Sequence, residues 1–121
     1  MERKTNRKAR IGVYTTGLKA YWPQFAGLKE RLEGYGQFIA GKIAEFGDVE
    51  VFNFGLVDCS DRGLEAGEYF QRNNVDLVFQ HIGTYVTSDA VLPVHQLCKA
   101  PVVILNLQPA VQINYAKTAT G

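Results

Sequence analysis

The stretch Val75-Asp76-Leu77-Val78-Phe79-Gln80 carries the reading of the fold. It is too short for a helix and dense in β-branched and aromatic residues. Apolar side chains fall on both sides of its pleat, the pattern of a parallel strand buried on both faces. Upstream, Ser60 or Asp61 caps a helix that runs to about Asn73, with a thin apolar face of Leu64, Phe70 and Tyr69. Downstream come a loop from His81 to Thr87 and a helix capped by Ser88, with Val91, Val94 and Leu97 turned inward. Pro93 lies within the first turn of that helix or just beyond and can bend it. Pro101 to Leu107, almost wholly apolar, forms the next strand.

The same alternation extends toward the N-terminus. Ala9 to Tyr14 reads as a first strand, followed by a polar and aromatic loop from Thr15 to Trp22. Pro23 suits the first turn of a helix, where its missing N–H costs nothing. From there Phe25, Leu28, Leu32, Tyr35, Ile39, Ile43 and Phe46 recur at steps of three and four, and Gly47 closes the helix. Val49 to Phe54 is a second strand, and a loop from Gly55 to Ser60 includes Asp58.

Strands alternating with helices imply an α/β, three-layer αβα sandwich on a parallel sheet. Right-handed crossovers favour the Rossmann- or flavodoxin-like order 2-1-3-4. That order puts the first helix on one face and the next two on the other, leaving strands three and four bare on the first helix's side. A ten-residue basic tail cannot cover them, nor can Val111, Ile113 and Tyr115 near the end. A fifth strand and a closing helix are expected, so the domain, residues 9–121, reads as incomplete at its C-terminal end and as a fragment of a longer protein.

With 121 residues, 46% of them hydrophobic, the chain suits one domain. The net charge of +1 hides an uneven distribution. Arg3, Lys4, Arg7, Lys8 and Arg10 crowd the start, opposed only by Glu2. Residues 1–8 read as a disordered, solvated leader. They lack the interleaved aromatics that stack on bases, so no nucleic-acid partner is expected. No secretory signal is present, and no window approaches the ~20 apolar residues of a membrane helix. A cytoplasmic location without a membrane partner follows as the expectation. Cys59 and Cys98 form no C-x-x-C pair, so neither zinc, redox chemistry nor a disulfide is indicated.

Open parallel sheets bind ligands beyond the carboxyl ends of the strands, at the switch point between strands one and three. The loops there are Thr15-Thr16-Gly17-Leu18-Lys19-Ala20-Tyr21-Trp22 and His81-Ile82-Gly83-Thr84-Tyr85-Val86-Thr87-Ser88. Their hydroxyls and aromatics suit a small-molecule sugar, which needs convergent hydrogen bonds and flat apolar faces. The same residues also serve as ordinary caps and turns. His81 can act as a general acid or base, or be a polar loop residue. Asp58 reads as a ligand contact or a turn residue, and His95 as a surface or filler residue. No G-x-G-x-x-G follows the first strand and no G-x-x-x-x-G-K-[ST] occurs. Carboxylates and histidines are too scattered for a metal site. No catalytic set is expected in this chain.

Three blocks carry a family resemblance. Gly17-Leu18-Lys19-Ala20-Tyr21-Trp22-Pro23-Gln24-Phe25 with Gly27-Leu28, then Thr84-Tyr85-Val86-Thr87-Ser88, then Leu105-Asn106-Leu107-Gln108-Pro109, resemble the N-terminal domain of the L-arabinose isomerase and L-fucose isomerase family. The likeness spans nearly all of the chain from Ala9 on. It implies part of a three-domain aldose–ketose isomerase of carbohydrate metabolism, a metal-dependent intramolecular oxidoreductase. In that family two glutamates and two histidines of later domains hold the metal, typically manganese, and move the proton. The first domain supplies fold, oligomer contacts and a lip over a neighbouring subunit's active site. Carried over, the lip is Gly17, Leu18 and Tyr21, then Trp22 and Gln24. The substrate-facing set expected from loops and resemblance together is Gly17, Leu18, Tyr21, Trp22, Gln24, Asp58, His81, Thr84, Tyr85 and Ser88. The chain is expected to be inactive alone, with no cofactor of its own, manganese in the full-length protein, and either a homo-oligomer or packing against the later domains. The alternative is a stand-alone module that binds a sugar or small ligand without catalysis.

Overall fold

The computed structural model describes residues 8–84 and 86–106. Tyr85, most of the basic leader, and the end containing Leu107, Gln108, Pro109, Val111, Ile113 and Tyr115 lie outside the described residues. Strands β1 (Ala9–Thr16), β2 (Val49–Val57), β3 (Leu77–Ile82) and β4 (Val102–Leu105) alternate with helices α1 (Leu28–Ala44), α2 (Ser60–Arg72) and α3 (Ser88–Leu97). All strand pairs are parallel and the order is β2-β1-β3-β4, as the alternation predicts. This is the flavodoxin-like arrangement. Ile11 and Val13 face α1 together with Ile39, Ala40 and Ile43. Tyr14, Val57 and Val78 face α2 and α3 with Ala66, Phe70, Ala90, Val94 and Cys98.

The first helix is shorter than its apolar spacing suggests. Gly27 adopts φ 80°, a left-handed conformation that a continuing helix cannot contain, so α1 begins at Leu28. Pro23 and Phe25 therefore precede the helix. Phe25 is 52% exposed and Phe46, beyond the other end, 79%. The buried stripe is Leu32, Gly36, Ile39, Ala40 and Ile43.

Strand bounds shift for local reasons. β2 runs on to Val57 because Phe54 is accommodated as a bulge opposite Val13 and Tyr14. Gly55 takes φ 105° there, and its N–H donates to Asn53 Oδ1 at 3.1 Å. β3 begins at Leu77, since Asp76 is spent on Arg10: its N–H donates to the Arg10 carbonyl at 2.6 Å and its carboxylate accepts from Arg10 N at 2.8 Å. β3 then includes His81 and Ile82, which belong to the strand and not to the loop expected from the sequence. β4 is confined to Val102–Leu105, without Pro101 or Asn106.

The face of α2 is not the expected one. Leu64 is 46% exposed, and the buried residues are Gly63, Ala66, Gly67 and Phe70. Small residues let the α2 backbone approach α3 closely. A Cβ at Gly63 would overlap the carbonyl oxygen of Ala90, and one at Gly67 would stand 2.9 Å from both the Pro93 carbonyl oxygen and Leu97 Cβ. Neither Ser60 nor Ser88 caps a helix by its side chain; the N-cap positions are Cys59 and Thr87. Pro93 lies in mid-helix, and α3 continues past it to a bond from Cys98 N to the Val94 carbonyl.

Among the described residues the α1 side of the sheet is only partly covered, in line with the expectation, and the exposure reaches further. Leu77, Phe79 and Leu105 are half-buried there, whereas β4 is open on both faces, with Val103 38% and Ile104 64% exposed.

Candidate ligand-binding site

At the switch point the two predicted loops meet and stitch together. The N–H groups of Gly83 and Thr84 both donate to the Thr16 carbonyl at 3.1 Å. Thr16 Oγ1 donates to the Thr84 carbonyl at 3.3 Å, and Leu18 N–H donates to Thr84 Oγ1 at 3.0 Å. These bonds spend the polar groups of the crevice on the protein itself.

The lip beyond β1 is held at a second point. After Leu18 the chain makes a single 3₁₀ turn, Lys19–Tyr21. The indole ring of Trp22 then folds back over Gly17, so closely that a Cβ at Gly17 would lie 2.5 Å from it. Trp22 Nε1–H donates to Asp58 Oδ2 at 2.8 Å. This bond ties the lip to the end of β2 across thirty-six residues. Tyr21 meets Phe25 edge-on at 5.8 Å, and Gln24 Nε2 donates to the Ala20 carbonyl at 3.3 Å.

Gly17, Leu18, Trp22, Asp58 and Thr84 are thus brought into one assembly, with Tyr21 and Gln24 on its outer side. His81 and Ser88 are not part of it. His81 is fully buried at the carboxyl end of β3, with Nδ1 3.1 Å from Thr15 Oγ1, so it faces the interior and not a ligand at the lip. Ser88 is exposed at the start of α3. His95, read as surface or filler, has a definite partner: the Tyr14 hydroxyl is 2.9 Å from its Nε2. Burial pushes the Tyr14 phenol well above its ordinary range, so it shares this hydrogen bond with His95 as a neutral hydroxyl. Burial also lowers the His95 pKa below its ordinary 6.5.

An open concavity lies one strand over, at the end of β2. It has a volume of about 330 Å³, near the lower end of small-ligand sites. Lys19 of the lip lines it, with Lys29 and Glu33 from the start of α1 and Asp58, Cys59, Asp61 and Arg62 from the β2–α2 junction, above Leu56. Arg62 is locked in place. Its guanidinium stacks 4.2 Å from the centroid of Phe54, Nε donates to the Leu56 carbonyl at 3.1 Å, and Nη1 pairs with Glu65 at 3.1 Å. Sequence reasoning found Asp58 but missed Lys29, Glu33, Asp61 and Arg62. The topology contained the signal: helices that follow parallel strands start at the carboxyl ends, so polar residues in the first two turns of α1 and the first turn of α2 converge.

Among the described residues, no three His, Cys, Asp or Glu side chains gather to hold a metal ion. The manganese implied by the family resemblance has no ligand set among them. No described helix is long and apolar enough to cross a membrane. Cys59 and Cys98 are both free, the second inside the core.

Fold and site define a class: a doubly wound parallel α/β domain with a braced lip and a charged cleft at its carboxyl-end rim. No family model and no curated protein matches the chain. It is similar in shape to a solved chain described as "Solution structure of a phosphate-loop protein", at 18% identity and a TM-score of 0.49, over 89% of this chain and 87% of that one.

Proposed function

We propose that the chain is the N-terminal domain of an aldose–ketose isomerase resembling L-arabinose and L-fucose isomerases, and that it supplies a substrate-facing lip and oligomer contacts. The observation that supports this reading is the double bracing of the lip, by Leu18 on Thr84 and Trp22 on Asp58. A segment at a sheet rim that carries Tyr21 and is tied at both ends is suited to being a fixed wall for a ligand held elsewhere. The exposed Phe38, Phe46 and Ile104 support an association role, in an oligomer or against later domains. Manganese and the groups that move the proton belong, on this reading, to later domains, and the location is cytoplasmic. Purified alone with manganese and L-arabinose, the chain forms no ketose; turnover by the chain alone sinks the proposal. Joined to the downstream polypeptide, Trp22→Ala raises KM for the sugar about tenfold with kcat little changed, as expected for loss of uniform binding.

A further inference from the structure

The cleft at the end of β2 has an unusual charge arrangement. Lys19, Lys29 and Arg62 bring three cations, and Glu33, Asp58 and Asp61 bring three carboxylates. Opposite charges on one small concavity ordinarily pair. Here none of these cations lies within ion-pair distance of any of these carboxylates; Arg62 pairs outward with Glu65. Asp58 is the one carboxylate among them with a bonded partner, the Trp22 indole, and that bond engages only Oδ2. Donors and acceptors therefore line one space that their own contacts do not fill.

We infer that this cleft is a binding site for a neutral polyhydroxylated ligand of monosaccharide size, an aldose or an alditol. The inference rests on the isomerase reading for its sugar class, but it places the ligand on this chain's own residues, which that reading does not require. Each hydroxyl of a sugar both donates and accepts, so vicinal hydroxyls can bridge an ammonium and a carboxylate that do not touch. A charged ligand meets three groups of its own sign beside three of the opposite one, so it gains no net attraction from the lining. An anion faces Glu33, Asp58 and Asp61, and a cation faces Lys19, Lys29 and Arg62. Charge-assisted hydrogen bonds are the stronger kind, and a site of both signs makes them to a neutral polyol without a net field. Rigidity favours the same conclusion, since Arg62 is held on Phe54 and Asp58 on Trp22 before any ligand arrives.

The test is isothermal titration of the purified chain with L-arabinose, L-fucose and L-arabinitol, against L-arabinonate and D-glucosamine as charged counterparts. The neutral compounds should bind, with the charged ones about tenfold weaker. Lys29→Met with Glu33→Gln should weaken the neutral compounds about tenfold without moving the thermal midpoint, because Lys29 is exposed and Glu33 half-buried. No heat with any neutral compound, equal binding by the double variant, or tighter binding of the arabinonate overturns the site. The isomerase reading is scored separately, by the KM of Trp22→Ala in the joined polypeptide. A raised KM there with no binding to the chain alone sinks the cleft and leaves the lip standing; sugar binding here with an unmoved KM does the reverse.

Discussion

On one face of the sheet, α2 and α3 press together through Gly63 and Gly67, and Tyr14, Phe70, Val78, Ala90 and Val94 are almost wholly removed from solvent. On the other face a single helix, α1, covers β1 and β2 and leaves Leu77, Phe79 and Leu105 half-buried. The strands are shared, so the difference comes from the covering layer. Two helices joined by a seam of small residues close their side over β1 and β3, leaving only β4 open. One helix cannot span four strands. Packing density, and with it sensitivity to substitution, should follow that asymmetry.

The sharpest way to break the comparison is to cut into the dense side. Phe70→Ala removes a fully buried ring that packs on Gly12 and lies tilted beside Tyr14, and should cost about 3–5 kcal/mol in urea unfolding. Ile39→Ala on the α1 side should cost less, about 2 kcal/mol, because its half-exposed neighbours can close over the gap. Equal losses would mean the two faces are equally packed. Acid provides a milder probe of the dense side. The folded state lowers the His95 pKa below 6.5 and so favours the neutral ring. The unfolded chain takes up that proton first, so this contribution is whole above pH 6.5 and is lost as pH falls through the lowered value. The urea midpoint of the parent should fall more steeply between pH 7 and pH 5 than that of His95→Gln. A parallel pair of profiles would remove the Tyr14–His95 bond from the stability of this face. The smallest effect belongs to the open rim. Ile104→Lys should change stability by no more than about 0.5 kcal/mol while reducing hydrophobic-dye binding and self-association in sedimentation.

The sheet order and the assignment of helices to faces were legible because they follow from period and handedness, and these are properties of whole segments. Single positions were harder. The spacing from Phe25 to Phe46 has helical period throughout, yet Gly27 and Gly47 turn left-handed and leave both end phenylalanines outside. Leu64 looked like the inner face of α2, but close approach to α3 selects Gly63 and Gly67, where absence of a side chain is the useful property. The lip was legible as a composition, rich in hydroxyls and aromatics. Its bracing was not, because Trp22 and Asp58 meet only after β2 is paired with β1. His81 shows the same limit: nothing local distinguishes a loop histidine from one at the end of a strand with its ring inside.

The bond from Trp22 to Asp58 has one more consequence. Trp22 is the only tryptophan in the chain, so every photon emitted by an indole comes from the brace of the lip. Excitation selective for tryptophan reads a single site without any label. A ligand that draws Asp58 away from the indole alters the polarity seen by one emitter, and the shift in its spectrum is undiluted by others. The protein carries its own optical gauge at the point where lip and cleft share a residue.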